Sequence, residues 1–184
     1  EASQAIKNVD LAPKYTITTN PSDQFLAQEL ADGKILSRCF GKMEFGQRAL
    51  GNRSIICNPT RYEQVRIINE KIKDRDFWMP FTPSILDEDL SELIENKKDI
   101  ETYFMTICFD STKKGQEVLK AAVHPYDFTA RPQKVTSVMN PEYHRLISAF
   151  KKLTGVGALL NTSLNLHGSP IDCTADDAIQ TMLN

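Results

Sequence analysis

Four groups of residues in this chain have the types and spacing to hold a polyanion. The first is the run 41–54, GKMEFGQRALGNRS, which sets three glycines, Arg48, Asn52 and Arg53 between two apolar stretches. Glycine allows close approach of backbone to a ligand, and each arginine offers a rigid planar fork of donors suited to phosphate or carboxylate. The run reads as an anion-binding loop, or as a Gly-rich connection carrying solvated arginines; it is neither a Walker loop nor a dinucleotide fingerprint. The second group is Lys73 with Arg75. Two apart on extended backbone they face one side and grip one anion, whereas at a helix end they are solvated charges against its negative pole. The third is Arg131 within the turn 124–133, and the fourth is Asn161-Thr162-Ser163-Leu164-Asn165. Ser163 and Asn165 share a face where an apolar run ends, the edge at which α/β sheets bind ligands; side-chain to backbone bonds in an ordinary turn are the alternative.

Other candidates are weaker. His124 is a general base or phosphate ligand, or a hydrogen-bonded structural histidine beside Pro125. His144 reads as a surface residue and His167, beside Gly168, as a possible neighbour of the site. Such dispersed histidines make no metal signature, and the acidic run 87–89 lacks the ligand spacing of a calcium loop. Phe77, Trp78 and Phe81 either stack on a base or belong to the core. Cys39, Cys57, Cys108 and Cys173 have no C-x-x-C spacing, which favours reduced thiols and a cytoplasmic setting. There is no long apolar stretch and no signal peptide. A net charge of −2 argues against a general nucleic-acid or anionic-membrane binder. Charge is unevenly spread, however: residues 34–75 carry ten Lys/Arg against four Asp/Glu, so a local basic hollow survives global neutrality.

The 184 residues, 41% hydrophobic, suit one domain with one good core. Residues 1–20 read as an arm or linker remnant and 21–184 as the folded unit, excised from a longer protein. Ser22 caps a helix stopped by Gly33; 34–40 and 54–57 are strands flanking the glycine-arginine loop; Thr60 and Glu63 form a capping box for the next helix. The prolines at 80 and 83 favour an extended edge. Residues 87–95 form a short acidic helix, and 104–109, 121–124 and 133–139 read as strands. A helix over 141–153 closes at Gly155, a buried strand covers 156–160, and a last helix covers 174–183.

At this point the run 41–55 resembles the signature of the C-terminal domain of O-carbamoyltransferases of the nodulation-protein-U type. Further matches follow in order: Asn69 with Ile72-Lys73-x-Arg75, Pro80-Phe81-x-Pro83-Ser84, His124-Pro125-Tyr126-Asp127-x-Thr129-x-Arg131-Pro132-Gln133, then Leu159 to Asn165 with Gly168-x-Pro170-Ile171. The resemblance runs from about Gln24 to the end, with the family's final strand missing. One departure is Met79, where many relatives carry Arg.

The resemblance implies an α/β (α+β) fold, a YrdC-like twisted open mixed sheet flanked by helices around a basic concave site. It implies that Lys73, Arg75, Ser163 and Asn165 form a catalytic tetrad holding ATP and a carboxylated small molecule. Arg48, Asn52, Arg53, Arg131, Asn161, Thr162 and His124 would then bind substrate or ATP, with Arg48 and Arg53 on phosphate or carbamoyl oxygens. The implied substrates are ATP, with Mg²⁺, and carbamoyl phosphate, which give carbamoyl-adenylate. The implied partner is an N-terminal actin/hexokinase-like domain of the same protein that transfers the carbamoyl group to a hydroxyl. Two other readings stand beside this one: a non-catalytic binding domain of the same fold, and a YrdC-like protein that makes threonylcarbamoyl-adenylate or binds RNA.

Overall fold

One mixed sheet separates two apolar layers. The computed structural model describes residues 2–7, 15–73, 76 and 78–183. Elements follow in the order α1 (Ala2–Lys7), α2 (Asp23–Ala31), β1 (Leu36–Cys39), β2 (Arg53–Cys57), α3 (Glu63–Ile68), β3 (Thr82–Leu86), α4 (Leu90–Leu93), β4 (Phe109–Asp110), α5 (Lys113–Val118), β5 (Thr129–Ala130), β6 (Gln133–Val135), α6 (Pro141–Thr154), β7 (Ala158–Ser163) and α7 (Ala175–Leu183). A π-helical turn, Asn69–Lys73, extends α3, and a 3₁₀ turn, Asp87–Asp89, leads into α4.

The sheet order is β1-β2-β7-β3-β6, with a separate β4-β5 pair. All pairings in the large sheet are antiparallel except β3 with β6. Successive residues of β2 and β7 point to opposite faces. Ile56 and Leu159 join the layer formed by Leu30 of α2 and Tyr143, Leu146, Ile147 and Phe150 of α6. Cys57 and Leu160 face Ile68, Phe81 and Ala122 on the other side. The sheet is therefore fixed in register from both faces, since a one-residue slip would exchange every side chain between layers.

The expected α/β architecture with a mixed sheet flanked by helices is the observed one. Ser22 caps α2 by accepting from the Phe25 amide, and α6 ends at Gly155 in the left-handed region (φ +77°). Several local expectations fail for physical reasons. Ala2–Lys7, expected without structure, is helical. The segment 104–109 has strand-like composition, but Met105 adopts φ +54° and Phe104 and Ile107 are exposed, so only Phe109 enters a ladder. Residues 121–124 are not a strand: Ala121 donates to the Pro59 carbonyl and Ala122 to Leu119, and their apolar character reflects burial under the sheet. The strand expected over 133–139 stops at Val135, because Thr136 opens a turn that bonds the amides of Met139 and Asn140. No capping box forms at Thr60, whose amide and hydroxyl both donate to Asn58 Oδ1; the helix starts at Glu63.

The proline-rich stretch leads into β3, which lies inside the sheet and not at its edge. Pro83 is tolerated because β6 pairs only with Ser84–Leu86, so the missing N–H falls where the strand has β7 alone as neighbour.

Candidate functional site

The glycine-arginine run is organised by a carboxylate that sequence reading passed over. Glu44 Oε1 accepts from the backbone amides of Leu50 (2.9 Å), Asn52 (2.7 Å) and Arg53 (2.9 Å). The loop's amides thus converge on the chain's own anion, in the manner of an occupied nest. Asn52 bridges outward, donating to the Lys42 carbonyl at 3.1 Å and accepting from Asn140 Nδ2 at 3.1 Å. Gly51, at φ +112°, passes against the Tyr143 ring so closely that a Cβ there would lie 2.4 Å from a ring carbon. Three acceptor-starved amides around one acid, spaced 44 to 53, were the available signal for Glu44.

The two arginines of the run have different fates. Arg53 is buried, and its guanidinium donates to the carbonyls of Cys173 (2.8 and 3.1 Å), Phe40 (3.0 Å), Asn52 (3.0 Å) and Gly41 (3.4 Å). Expected on anion oxygens, it has its donors directed at carbonyls and ties the segment just after β1 and the segment before α7 to β2. Asn52 likewise serves the loop's own framework. Arg48 instead lines a cavity of about 110 Å³ together with Gln47, Phe81, Arg131, Asn161, Thr162 and Ser163. Its Nε is buried without a protein partner. Burial and then the neighbouring positive charge of Arg131 hold its guanidinium below the ordinary arginine value. Two like charges against one small hollow are favourable only when an anion joins them.

The end of β7 supplies the other wall, and behind it sits Lys73. The π-helical turn carries the buried Lys73 to this edge, where Nζ donates to the Ser163 carbonyl (2.5 Å) and hydroxyl (3.2 Å) and to the Asn165 carbonyl (3.0 Å) and Oδ1 (2.7 Å). Ser163 Oγ also donates to Asn165 Oδ1 at 2.6 Å. Lys73 thus forms one knot at the rim of the arginine cavity with Ser163 and Asn165, 90 and 92 residues further along the chain. The expected fourth member, Arg75, lies outside the described residues, as does Phe77.

His124 is not among the cavity's lining residues. It sits in a turn in which Thr129 donates to Asp127 Oδ1, and its Nδ1 lies 3.3 Å from the same carboxylate. Phe81 is buried in the core against Cys57 and Ile68, while Trp78 is exposed. Met79 is exposed as well. Among the described residues no group of three or more His, Cys, Asp or Glu is arranged to hold a metal ion, and no helix is long and apolar enough to cross a membrane.

Sequence comparison relates the chain to known proteins. A family profile described as "Carbamoyltransferase C-terminus" matches residues 27–184. The chain is 42% identical to an uncharacterized protein of Methanocaldococcus jannaschii, over 88% of the chain and 26% of that relative. It is 39% identical to nodulation protein NolNO of Sinorhizobium fredii, over 85% of the chain and 23% of the relative. It is also 38% identical to 3'-hydroxymethylcephem-O-carbamoyltransferase of Amycolatopsis lactamdurans, over 78% of the chain and 26% of the relative. The chain spans about a quarter of the length of these relatives.

Proposed function

The chain belongs to the carbamoyltransferase C-terminus family, and from that premise we propose that it is the part of an O-carbamoyltransferase that binds ATP and carbamoyl phosphate and forms carbamoyl-adenylate. The observation that carries this reading is the pair of guanidiniums, Arg48 and Arg131, set against one small hollow whose far wall ends in the Lys73–Ser163–Asn165 knot. A cavity of about 110 Å³ suits a single phosphoryl or carbamoyl group. The adenosine and remaining phosphates of ATP would lie outside it.

In the proposed sequence, water and carbamoyl phosphate give carbamate and phosphate. A carbamate oxygen then attacks the α-phosphorus of ATP, the bond to the β-phosphate oxygen breaks, and pyrophosphate leaves. The reactants are all anions, so the protein's contribution is positioning and charge neutralisation. Arg48 and Arg131 hold phosphate and carbamoyl oxygens. In this reading Lys73 and Arg75 would serve the ATP phosphates, and Ser163 and Asn165 the α-phosphate. The cavity is lined by cations, neutral polar groups and the apolar Ala49, Pro80, Phe81 and Met105, a set that does not fit a protein-held Mg²⁺; no step here runs through the metal. An actin/hexokinase-like domain would take the carbamoyl group onward to a hydroxyl.

The test is pyrophosphate release from ATP with and without carbamoyl phosphate. Release that depends on carbamoyl phosphate, and is lost on Lys73→Ala in a folded variant, supports the assignment. ATP turnover indifferent to both sinks it in favour of a non-catalytic domain.

A further inference from the structure

Asn161, in the wall of the arginine cavity, carries a buried side-chain acceptor that the protein leaves unpaired. Asn161 is 1% exposed, and its Nδ2 donates to the Ala49 carbonyl (3.0 Å) and to Ser84 Oγ (2.9 Å). Ser84 in turn donates to Gln133 Oε1 (2.7 Å), and Gln133 Nε2 donates to the Leu50 carbonyl (2.7 Å). The Ser84 proton is committed to Gln133 and the Ala49 carbonyl has none, so both groups are acceptors towards Asn161. Turning the amide over would set its oxygen against two acceptors, which fixes the orientation by chemistry. The Asn161 Oδ1 that results is buried and has no hydrogen-bond partner in the protein.

A buried acceptor left unpaired costs on the order of 1–3 kcal/mol, so its retention in the wall of a ligand cavity calls for a donor from the ligand. The arginines ask for the opposite. Arg48 Nε is a buried donor without a partner, and Arg131 faces the same hollow. A carboxylate, or a phosphoryl group that carries no proton, satisfies the arginines and leaves Oδ1 unanswered or repelled. A small group that carries anionic or carbonyl oxygens on one side and an N–H on the other satisfies both.

We propose that Asn161 Oδ1 accepts a hydrogen bond from the –NH₂ of the carbamoyl group, so that Asn161 selects a carbamoyl donor over an acyl donor that lacks N–H. The proposal rests on the reading of the cavity as the carbamoyl phosphate site. Ser84 and Gln133 act through Asn161 as positioning residues: they turn the amide so that its oxygen is the atom presented.

The test compares the chain's affinities for carbamoyl phosphate, acetyl phosphate and inorganic phosphate by isothermal titration. Acetyl phosphate places a methyl group where carbamoyl phosphate has its –NH₂, at nearly the same size. The expected result is that carbamoyl phosphate binds roughly tenfold or more tightly than acetyl phosphate, the contribution of one satisfied hydrogen bond. In Asn161→Leu the ratio should fall towards one. Because that variant sits in the core and can fail to fold, the unsubstituted chain decides the matter alone. Equal affinities for the two acyl phosphates overturn the role of Asn161 while leaving an anion site in place. No binding of any of the three anions by a folded sample overturns both this inference and the reading beneath it.

Discussion

Arg53 and Arg48 stand five residues apart in one motif and do opposite work. Arg53 is enclosed by carbonyls from the segment just after β1, from its own neighbour and from the segment before α7, so its charge is dispersed over the backbone it holds. Arg48 faces Arg131 across a hollow, with a buried donor unmatched. The difference teaches that a glycine-arginine signature is two devices in one: a framework of Glu44, Gly51 and Arg53 that fixes the backbone, and a presented cation that the framework aims. Stability should reside in the first and ligand affinity in the second.

The sharpest way to break this division is Arg53→Ala. It strips several buried carbonyls of their donor at once, and a loss of about 3–5 kcal/mol in denaturant unfolding is expected; a loss under about 1 kcal/mol would mean that Arg53 is not a framework residue. Next comes Gly51→Ala, which places a methyl into the Tyr143 ring and an L-residue at φ +112°. A cost of roughly 2–4 kcal/mol is expected from overpacking and strain together, read in the same unfolding experiment. Glu44→Gln keeps the acceptor oxygen but removes the charge that serves three amides, so a loss of about 1–2 kcal/mol should appear there.

Asp172 gives the smallest expected effect and a different readout. Its Oδ1 accepts from Thr181 at 3.1 Å while Oδ2 is buried and unpartnered. Burial first, and Asp177 to a lesser degree, push its carboxyl above the ordinary aspartate value, against the pull of Thr181, Lys73 and Arg53. A carboxyl raised on folding binds its proton more tightly in the native state. Its ionisation therefore costs stability as pH rises from the unfolded value through the raised one, and the cost persists at neutral pH. Asp172→Asn should accordingly raise neutral-pH stability by less than about 1 kcal/mol, and the gain should vanish in acid, where both forms are neutral. An equal change at both pH values would assign the effect to packing.

Much of the architecture was legible because it depends on local rules. The Ser22 cap, the Gly155 stop and the apolar face of α6 are each specified within a few residues. What was not legible depends on partners distant in sequence. Nothing within the run 41–54 distinguishes Arg53 from Arg48, since the carbonyl of Cys173 that claims Arg53 arrives from 120 residues away. The segment 121–123 is apolar because it is buried, and burial alone does not demand a ladder; in 104–109 only Met105 is buried, at a backbone angle that no strand adopts. Asn161 showed its polarity in sequence, whereas the orientation of its amide exists only once Ser84 and Gln133 are beside it.

The central claim is that Arg48 is presented to an anion that the rest of the motif only supports. It is tested most directly by titrating carbamoyl phosphate into the chain and into Arg48→Ala, with unfolding of each measured alongside. The account predicts at least a tenfold weaker affinity in the variant with stability within about 1 kcal/mol of the parent. Undiminished affinity in the variant, or a collapse of stability like that expected for Arg53→Ala, would contradict it.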